Sequence, residues 1–333
     1  MIEIKVCLLN EINLQEYNKF INKKNIFSTF FSYEWLTCID KTYQEYTVEV
    51  LIAYDKSKNI CGVLPYVLYK KWGIVFCYSM IFYTYGGIIA DNNEIFERMV
   101  CFLEEKIKSI SELYTIRFMF YDVLNEELKN FMQKSDYFFK DFNAAIVMLE
   151  NNFDGVIGKY KHSIRKNINK AKRENVEIRE ITSYQELNEF YKMATYTYNL
   201  HNSSMPYPKK IYECIYEYMV PKNLSKFHIA LKDGNPIASS IHFYGNTEIF
   251  NWLTPSYREF QQYRANTLLI NEIINFGCNN SFEKYNLGAS PTGENGLLTF
   301  KHNWGAIDNH YYFAYKQSKL ICLGENLIRF FRK

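Results

Sequence analysis

The chain has 333 residues, of which 48% are hydrophobic and 23% are charged, and its formal net charge is +3. This balance excludes a disordered chain and predicts a folded protein with room for two ordinary domains. So small a charge also excludes nucleic-acid binding by the whole surface, so electrostatic arguments rest on local clusters. The eight cysteines form no Cys-x-x-Cys pair, which predicts buried, reduced thiols and no metal site.

The first residues lack the basic-then-apolar order of a signal peptide, which predicts a cytoplasmic protein. Residues 72–90 carry no formal charge and are nearly long enough to span a bilayer. Their glycines and polar residues favour two buried strands joined by a turn. The basic amphipathic end at residues 327–333 has two interpretations, a helix that caps the fold or a peripheral contact with the inner face of a membrane.

Two segments of the chain repeat one pattern of an apolar strand, a polar turn and a second strand, at residues 52–66 and 229–243. The turn of the second copy, Asp233-Gly234-Asn235, has the residue types that tolerate the positive φ angles of a tight hairpin. Such internal similarity predicts a duplicated architecture.

The elements after each hairpin also repeat. In the first copy an apolar strand region ends at Tyr85-Gly86-Gly87-Ile88, and an amphipathic helix is predicted at residues 94–109 and a strand at 114–121. In the second copy a strand is predicted at 247–253, a helix at 265–278 and a strand at 282–288. Each copy therefore reads hairpin, strand, helix, strand.

Each copy also opens with helical material. Residues 14–21 and 33–39 have this role in the first copy, and the capping-box spacing from Ser183 to Glu186 begins a helix in the second. Gly277 is expected to end its helix in a left-handed conformation. We therefore predict an α/β (α+β) protein made of two halves, 1–150 and 151–333. Each half is expected to be a mixed, mostly antiparallel twisted sheet flanked by helices.

The sharpest charge cluster is residues 159–173, which hold seven Lys or Arg and no acid. Ile164, Ile168 and Ala171 recur at helical spacing and would bury one face, which leaves Arg165 and Lys166 outside. One interpretation is a solvated basic face. The other is a site for phosphates, either of a sugar-nucleotide diphosphate or of a tRNA backbone.

Two further clusters lie just after predicted strands. In the first, residues 261–268 lie between a strand and a helix, whose N-terminus would direct free backbone N–H groups at an anion. In the second, a Gly-rich loop precedes Lys301, which would stabilise an oxyanion or hold a phosphate. For the first cluster the alternative interpretation is an ordinary helix start. For the second it is a surface lysine between two aromatic residues. The histidines form no triad, and no serine stands in a Gly-x-Ser-x-Gly turn.

Several of these motifs together resemble the FemAB-like branch of the GNAT acyltransferase superfamily. They are residues 161–178 with the capped helix after them, and Tyr285-Asn-Leu-Gly-Ala-Ser290 with Phe300-Lys301 and Trp304-Gly305 further along. Residues 30–35 resemble the family's opening, and Tyr85-Gly86-Gly87 resembles its turn after the first sheet. The motifs occur in the family's order along nearly the whole chain. The branch contains Fem-type peptidoglycan bridge transferases and acyltransferases of polysaccharide and capsule synthesis.

The resemblance implies tandem GNAT halves and an N-acyl or aminoacyl transferase. Its donor would be acyl-CoA or, as in Fem-type enzymes, an aminoacyl-tRNA, and no metal is implied. Its acceptor would be an amine of a lipid-linked or nucleotide-linked envelope precursor. The residues to which it assigns roles are Trp35 and Tyr85 in the acceptor pocket, Arg165 with Lys166 on acceptor phosphate, Lys301 at the reacting carbonyl or a phosphate, and Arg264, Ala265 and Asn266 at the CoA turn.

The sequence departs from the family in three ways. It lacks the long coiled-coil insertion of some Fem transferases, and Asn286 stands where an Asp is common. At the CoA turn, Arg264 and Asn266 occupy positions that usually hold small residues.

The expected reaction is attack of a neutral amine on a thioester or ester carbonyl, with a base that accepts the amine proton. Glu294, His201 and Tyr257 are the candidates for this base, and His201 and Tyr257 are also expected to bind the substrate. Three hypotheses remain open from the sequence: an envelope-directed transferase, a non-catalytic binding module with the GNAT shape, and nucleic-acid binding by the basic helix. Neither the oligomeric state nor the acceptor follows from the sequence.

Overall fold

The structure is a computed structural model. It describes residues 2–24, 26–82, 84–121, 124–290 and 295–322. The chain forms two compact units, one from residues 1–142 together with those from 310 onward, and one from residues 143–309. The predicted halves, 1–150 and 151–333, differ from these units mainly at the end of the chain, where the residues from 310 onward group with the first unit.

The first unit is built mainly from the first six strands and four helices. Its strands are β1 (Glu3–Leu8), β2 (Thr47–Tyr54), β3 (Ile60–Lys71), β4 (Ile74–Tyr78), β5 (Ile89–Ala90) and β6 (Tyr114–Met119). Its helices are α1 (Leu14–Asn22), α2 (Tyr33–Thr42), α3 (Asn93–Ile110) and α4 (Glu126–Lys134). Strand β7 (Phe138–Met148) comes next and leads into the second unit, and the last strand, β13 (Ile307–Gln317), leads back into the first.

The sheet of the first unit has the order β1-β2-β3-β4-β6-β13. Its neighbours are antiparallel except β4 and β6, which are parallel. Parallel strands need a crossover, and α3 lies in this connection. The face of α3 that carries Met99, Val100 and Leu103 packs in one core with Leu64 and Ile116 of the sheet.

The second unit repeats this plan with more helices. Its further strands are β8 (Glu177–Glu180), β9 (Ser225–Lys232), β10 (Asn235–Tyr244), β11 (Glu248–Leu253) and β12 (Lys284–Ala289). Its helices are α5 (Phe153–Gly158), α6 (His162–Arg173), α7 (Tyr184–Leu200), α8 (Lys209–Cys214), α9 (Ala265–Asn279) and α10 (Asn295–His302).

The sheet of the second unit has the order β7-β12-β11-β10-β9-β8. Again one pair is parallel, β11 with β12, and one helix, α9, connects its two strands. The other neighbours are antiparallel. Both units are therefore mixed, mostly antiparallel sheets flanked by helices, which confirms the predicted fold class.

Local sequence explains the elements that position the site. Asp233 and Gly234 have φ angles of 50° and 78°, so the tight turn between β9 and β10 forms as predicted. The apolar side chains of α6 are buried in the same core as α9. They are Ile164, Ile168 and Ala171. No helix among the described residues is both long enough and apolar enough to cross a membrane.

Candidate functional site

The parallel strands of the second unit separate at their carboxyl ends. They pair from Glu248 opposite Lys284 to Phe250 opposite Asn286, whereas β11 continues to Leu253 and β12 to Ala289. Gly288 has a φ of 74°, a conformation that a residue without a Cβ adopts readily. In α/β sheets, ligands bind outside the carboxyl ends of strands where such an opening forms.

Helix α9 begins beside this opening, after a 3-10 helix at Arg258–Tyr263. Arg264 precedes the helix with a φ of 58°, and its side chain makes no capping hydrogen bond. The first N–H groups of any helix lack intrahelical acceptors and carry partial positive charge. The Asn266 side-chain amide donates to the carbonyl oxygen of Thr254 at 3.3 Å and to the Ser256 hydroxyl at 3.0 Å, which fixes the preceding loop.

A cavity of about 330 Å³ lies at this helix start, and we call it the α9 pocket. Its lining residues are Ile237, Ser256, Tyr257, Phe260, Gln261, Arg264, Ala265, Asn266, Thr267 and Phe300. It therefore joins a free helix N-terminus, an exposed guanidinium and several side-chain hydrogen-bonding groups. Such a combination suits a phosphate or diphosphate.

Lys301 follows Phe300 on α10 and is buried, with only 5% of its surface exposed. Its ammonium donates to the carbonyl oxygens of Gly288 and Ala289, both at 2.8 Å. Burial lowers the pKa of Lys301 to about 8. Because an ammonium has three N–H donors and two are used here, one remains for a ligand oxygen at the end of β12.

A second cavity, of about 880 Å³, lies along α7, and we call it the α7 pocket. Glu186 and Glu189 are among its lining residues, together with the cations Arg179, Lys192 and Lys209. The Tyr257 hydroxyl, in the lining of the α9 pocket, donates to the Glu189 carboxylate at 2.6 Å. Burial and this carboxylate raise the pKa of Tyr257, so its phenol stays neutral at physiological pH. This hydrogen bond links the two pockets.

The start of α6 packs against the end of α10. The Lys161 N–H donates to the Asn303 carbonyl at 2.8 Å, and the rings of Tyr160 and Trp304 meet edge to face at 5.0 Å. Arg165 and Lys166 are exposed on α6 and make no ion pair within the described part of the chain. The helix therefore presents uncompensated cations to solvent.

The remaining predicted site residues lie elsewhere. His201 is exposed just after α7, outside the lining of both pockets. Trp35 and Tyr85 are buried in the first unit, where the Trp35 indole N–H contacts the Met80 sulfur at 3.3 Å. Glu294 and the basic end at residues 327–333 lie outside the described residues.

The structure thus brings Tyr257, Arg264, Ala265 and Asn266 to one pocket and places Phe300, the neighbour of Lys301, in its lining. Sequence reasoning missed Glu189, a half-buried acid of α7 whose sequence context does not distinguish it from the other helix acids and whose candidate role comes from its contact with Tyr257. Two histidines of the sheet, His228 and His242, are buried, and burial lowers the pKa of His228 to about 4. Among the described residues, no group of His, Cys, Asp or Glu is placed to hold a metal ion.

Comparison with known proteins assigns this arrangement to a fold. Residues 158–302 match the family model described as an acetyltransferase (GNAT) domain. A search of curated proteins found no match. The crystal structure of FemX matches with a TM-score of 0.74 at 12% identity, over 93% of this chain and 96% of that chain.

Two other solved structures match over nearly their full length. The C-terminal domain of a putative lysylphosphatidylglycerol synthetase from Agrobacterium fabrum has a TM-score of 0.60 at 11% identity, over 95% of this chain and 94% of that chain. A tandem GNAT protein from the clavulanic acid biosynthesis pathway has a TM-score of 0.61 at 8% identity, over 96% and 99%. At these identities the structural matches concern the fold.

These findings confirm the resemblance predicted from the sequence motifs. The fold is that of FemX and of tandem GNAT proteins. The acetyltransferase match covers most of the second unit, and it supports the prediction of an acyl or aminoacyl transferase.

Proposed function

We propose that this protein transfers an acyl group from acyl-CoA to an amine of a cell-envelope or capsule precursor. The observation that carries the proposal is the α9 pocket, with Arg264 at its helix start and the buried Lys301 at the open end of the neighbouring strand. The acetyltransferase match over residues 158–302 supports acyl-CoA as the donor. The FemX fold and the name of the lysylphosphatidylglycerol synthetase, which concerns an aminoacylated lipid, favour an envelope acceptor.

In this proposal the donor's diphosphate binds at the start of α9. The free N–H groups of the helix and the Arg264 guanidinium neutralise it. The thioester arm then enters the opening between β11 and β12, where the third N–H of Lys301 reaches the carbonyl oxygen. Donors fixed before the reaction stabilise the charge that develops on that oxygen.

The acceptor amine would enter through the α7 pocket. Glu186 and Glu189 in its lining are already paired with Arg179 and Lys192, so the amine would bind in its neutral form, which is also the nucleophilic form. Attack on the thioester forms the C–N bond, collapse of the tetrahedral intermediate breaks the C–S bond, and CoA leaves as a thiolate that takes up a proton. The amine proton passes to the Tyr257 oxygen as the Tyr257 proton passes to Glu189, because that hydrogen bond already exists.

The exposed cations of α6 favour a second candidate, an aminoacyl-tRNA donor. Arg165 and Lys166 are free to contact a phosphate backbone, and a bound tRNA would place its aminoacyl ester at the same Lys301. Under this alternative, transfer weakens steeply with salt because each phosphate contact releases counterions.

One experiment separates the two donors. Acetyl-CoA and longer acyl-CoA thioesters are incubated with the protein and amine acceptors (amino sugars, nucleotide-linked amino sugars and stem peptides), and thiol release is measured. Charged tRNA is tested in parallel by transfer of a labelled amino acid. Acceptor-dependent thiol release supports the proposal, labelled transfer from tRNA alone supports the second candidate, and consumption of neither donor contradicts both.

A further inference from the structure

A third cavity, of about 410 Å³, lies within the first unit. Its lining residues are Tyr46, Tyr78, Met80, Ile81, Phe82, Arg117, Phe118, Met119, Lys140, Phe142 and Phe313. The lining is dominated by aromatic rings, contains two cations and contains no acid. We call it the Arg117 pocket.

Arg117 is the single charged residue of β6. Its neighbours Ile116 and Phe118 lie in the core beneath α3, so the Arg117 side chain leaves the opposite face of the sheet. On that face its guanidinium carbon lies 4.6 Å from the centre of the Tyr78 ring and 5.9 Å from that of Phe313. The two rings hold the planar cation in place by cation–π contact.

The Arg117 side chain has no acceptor in the described part of the chain. It makes no ion pair there, and its Nε is buried without a hydrogen-bond partner. Buried polar groups in folded proteins are nearly always hydrogen-bonded, and an unpaired guanidinium beside apolar rings is costly. An anion that accepts from the guanidinium would remove this cost.

Lys140 adds a second positive charge at the rim. It is exposed, and its ammonium lies 5.6 Å from the centre of the Phe142 ring. Tyr46 continues the aromatic wall by stacking on Tyr69 at 4.9 Å. Flat side chains of this kind bind flat ligands through offset or edge-to-face contacts.

We propose that the Arg117 pocket binds a small anion carried on a planar ring, of the aryl carboxylate or aryl phosphate class. The fork of the guanidinium would hold the carboxylate or phosphate, and the ring would lie among Tyr78, Phe142 and Phe313. The cavity volume is within the range of about 300–1,000 Å³ that is usual for small-molecule sites. This site lies in the first unit and does not depend on the donor chemistry proposed for the second.

The test is a ligand-observed NMR titration of the full chain with four probes. Phenyl phosphate and benzoate carry both features, inorganic phosphate lacks the ring, and octyl phosphate replaces the ring by a chain. We expect one or both ring-bearing anions to bind more tightly than inorganic phosphate and octyl phosphate. Absence of binding by both ring-bearing anions, or tighter binding of octyl phosphate, would overturn the proposal.

Substitutions then locate the site. Arg117→Met and Arg117→Lys should each weaken the ring-bearing anion at least tenfold, since Met removes the charge and Lys loses the planar fork. Phe313→Leu should weaken the ring-bearing anion and leave inorganic phosphate unchanged. Arg98→Ala, which removes an exposed arginine paired with Glu94 on α3, is the matched control and should bind like the unchanged chain.

Arg264→Gly serves as a second control, because an aryl phosphate bound in the α9 pocket would be weakened by it. Equal affinities for the Arg117 variants and the unchanged chain would overturn the proposal, with folding confirmed by circular dichroism. Thiol release from acyl-CoA is measured separately, so failure of this site and failure of the proposed transferase are distinguishable.

Discussion

The side-chain amide of Asn286 donates to the Glu248 carboxylate at 2.7 Å, and both residues are buried where β11 and β12 run side by side. The side-chain oxygen Oδ1 of Asn286 in turn accepts a hydrogen bond from the Gly288 N–H at 2.8 Å. Asn286 therefore links the last paired residues of the two strands to Gly288, whose backbone carbonyl accepts a hydrogen bond from Lys301. An Asp is common at this position in the family that the sequence resembles. It would place a second carboxylate next to that of Glu248.

Asn286→Asp should therefore destabilise the protein, by about 2–4 kcal/mol near pH 7, because two buried carboxylates cannot both ionise without cost. The new acid would have a raised pKa in the folded state. Its penalty should therefore be smallest below the unfolded pKa of Asp and grow as the pH rises. Urea unfolding at pH 5 and pH 8 measures this, and an equal loss at both pH values would contradict the explanation.

The buried ammonium of Lys301 predicts a pH dependence of stability. Its pKa of about 8 lies below that of an unfolded lysine, so the folded state loses this proton first. We compare the free energy of unfolding of the unchanged chain with that of Lys301→Met. The difference should rise as the pH increases from about 8 to 10, and this gain should be lost again as the pH is lowered to about 8. The expected change is about 1–3 kcal/mol. A difference that is constant over this range would show that burial does not lower the pKa of Lys301 in the folded protein.

In the proposed transferase the same lysine acts as a cation. Lys301→Met should lower kcat about 100-fold, since loss of one oxyanion donor has effects of this size. In the unchanged chain, activity that depends on this charge should decline above pH 8. In Lys301→Arg the decline should occur at a higher pH. Steady-state thiol release against pH measures both, and an unchanged kcat in Lys301→Met would remove Lys301 from the mechanism.

Arg264→Gly separates the charge of this residue from its backbone conformation. Glycine adopts the φ of 58° without the cost of about 1 kcal/mol that a side chain brings, so stability should stay the same or rise. The KM for acyl-CoA should rise about fivefold to tenfold through loss of the guanidinium, with kcat little changed. Arg258→Ala, on the preceding 3-10 helix and outside the pocket lining, is the matched control. Equal KM values for both variants would argue against diphosphate binding at Arg264.

The Tyr257–Glu189 hydrogen bond predicts a shared catalytic effect. Tyr257→Phe and Glu189→Gln should each lower kcat by about 10–100-fold with little change in stability, because each interrupts the same proton transfer. The double variant should lose no more than the worse single variant, since the two residues act as one unit. Additive losses would show that they act separately.

Gly305 predicts a stability effect at the junction of α10 and α6. It has a φ of 72°, and an added Cβ would lie 2.9 Å from the Lys159 Cβ and 3.1 Å from its carbonyl oxygen. Gly305→Ala should therefore destabilise by about 2–3 kcal/mol. Gly158→Ala is the control, because Gly158 has open space around it and no positive φ. Urea midpoints should fall for the first variant and stay or rise for the second.

Much of the fold could be predicted because the hydrophobic periodicity is clear. The predicted helix at residues 94–109 is α3 (Asn93–Ile110), and the predicted helix at 265–278 is α9 (Ala265–Asn279). The left-handed conformation expected for Gly277 was wrong. Gly277 lies inside α9, where it allows close approach, since an added Cβ would meet a side-chain carbon of Leu149 at 2.6 Å.

The site could be predicted only in part. The place of Arg264 and Asn266 at a helix start could be predicted because a helix start after a strand has a local signature, and their binding roles stay predictions. The Glu189 partner of Tyr257 and the unpaired state of Arg117 depend on residues far apart in sequence, which a pattern along the chain does not pair. In the sequence, Arg117 is distinguished only as the one charged residue within the apolar run at residues 114–121. The roles of Trp35, Tyr85, Arg165, Lys166 and His201 stay predictions.

The pairing of β13 with β6 has a consequence for how the protein is made. Phe313 to Gln317 form the ladder opposite Met119 to Thr115, so the sheet of the first unit acquires its last strand from a segment nearly two hundred residues further along the chain. During synthesis, one edge of β6 stays unpaired until nearly two hundred further residues have left the ribosome. Exposed edges of this kind invite aggregation. A gene cut near codon 150 would therefore yield an amino-terminal fragment that lacks this strand, rather than an autonomous domain.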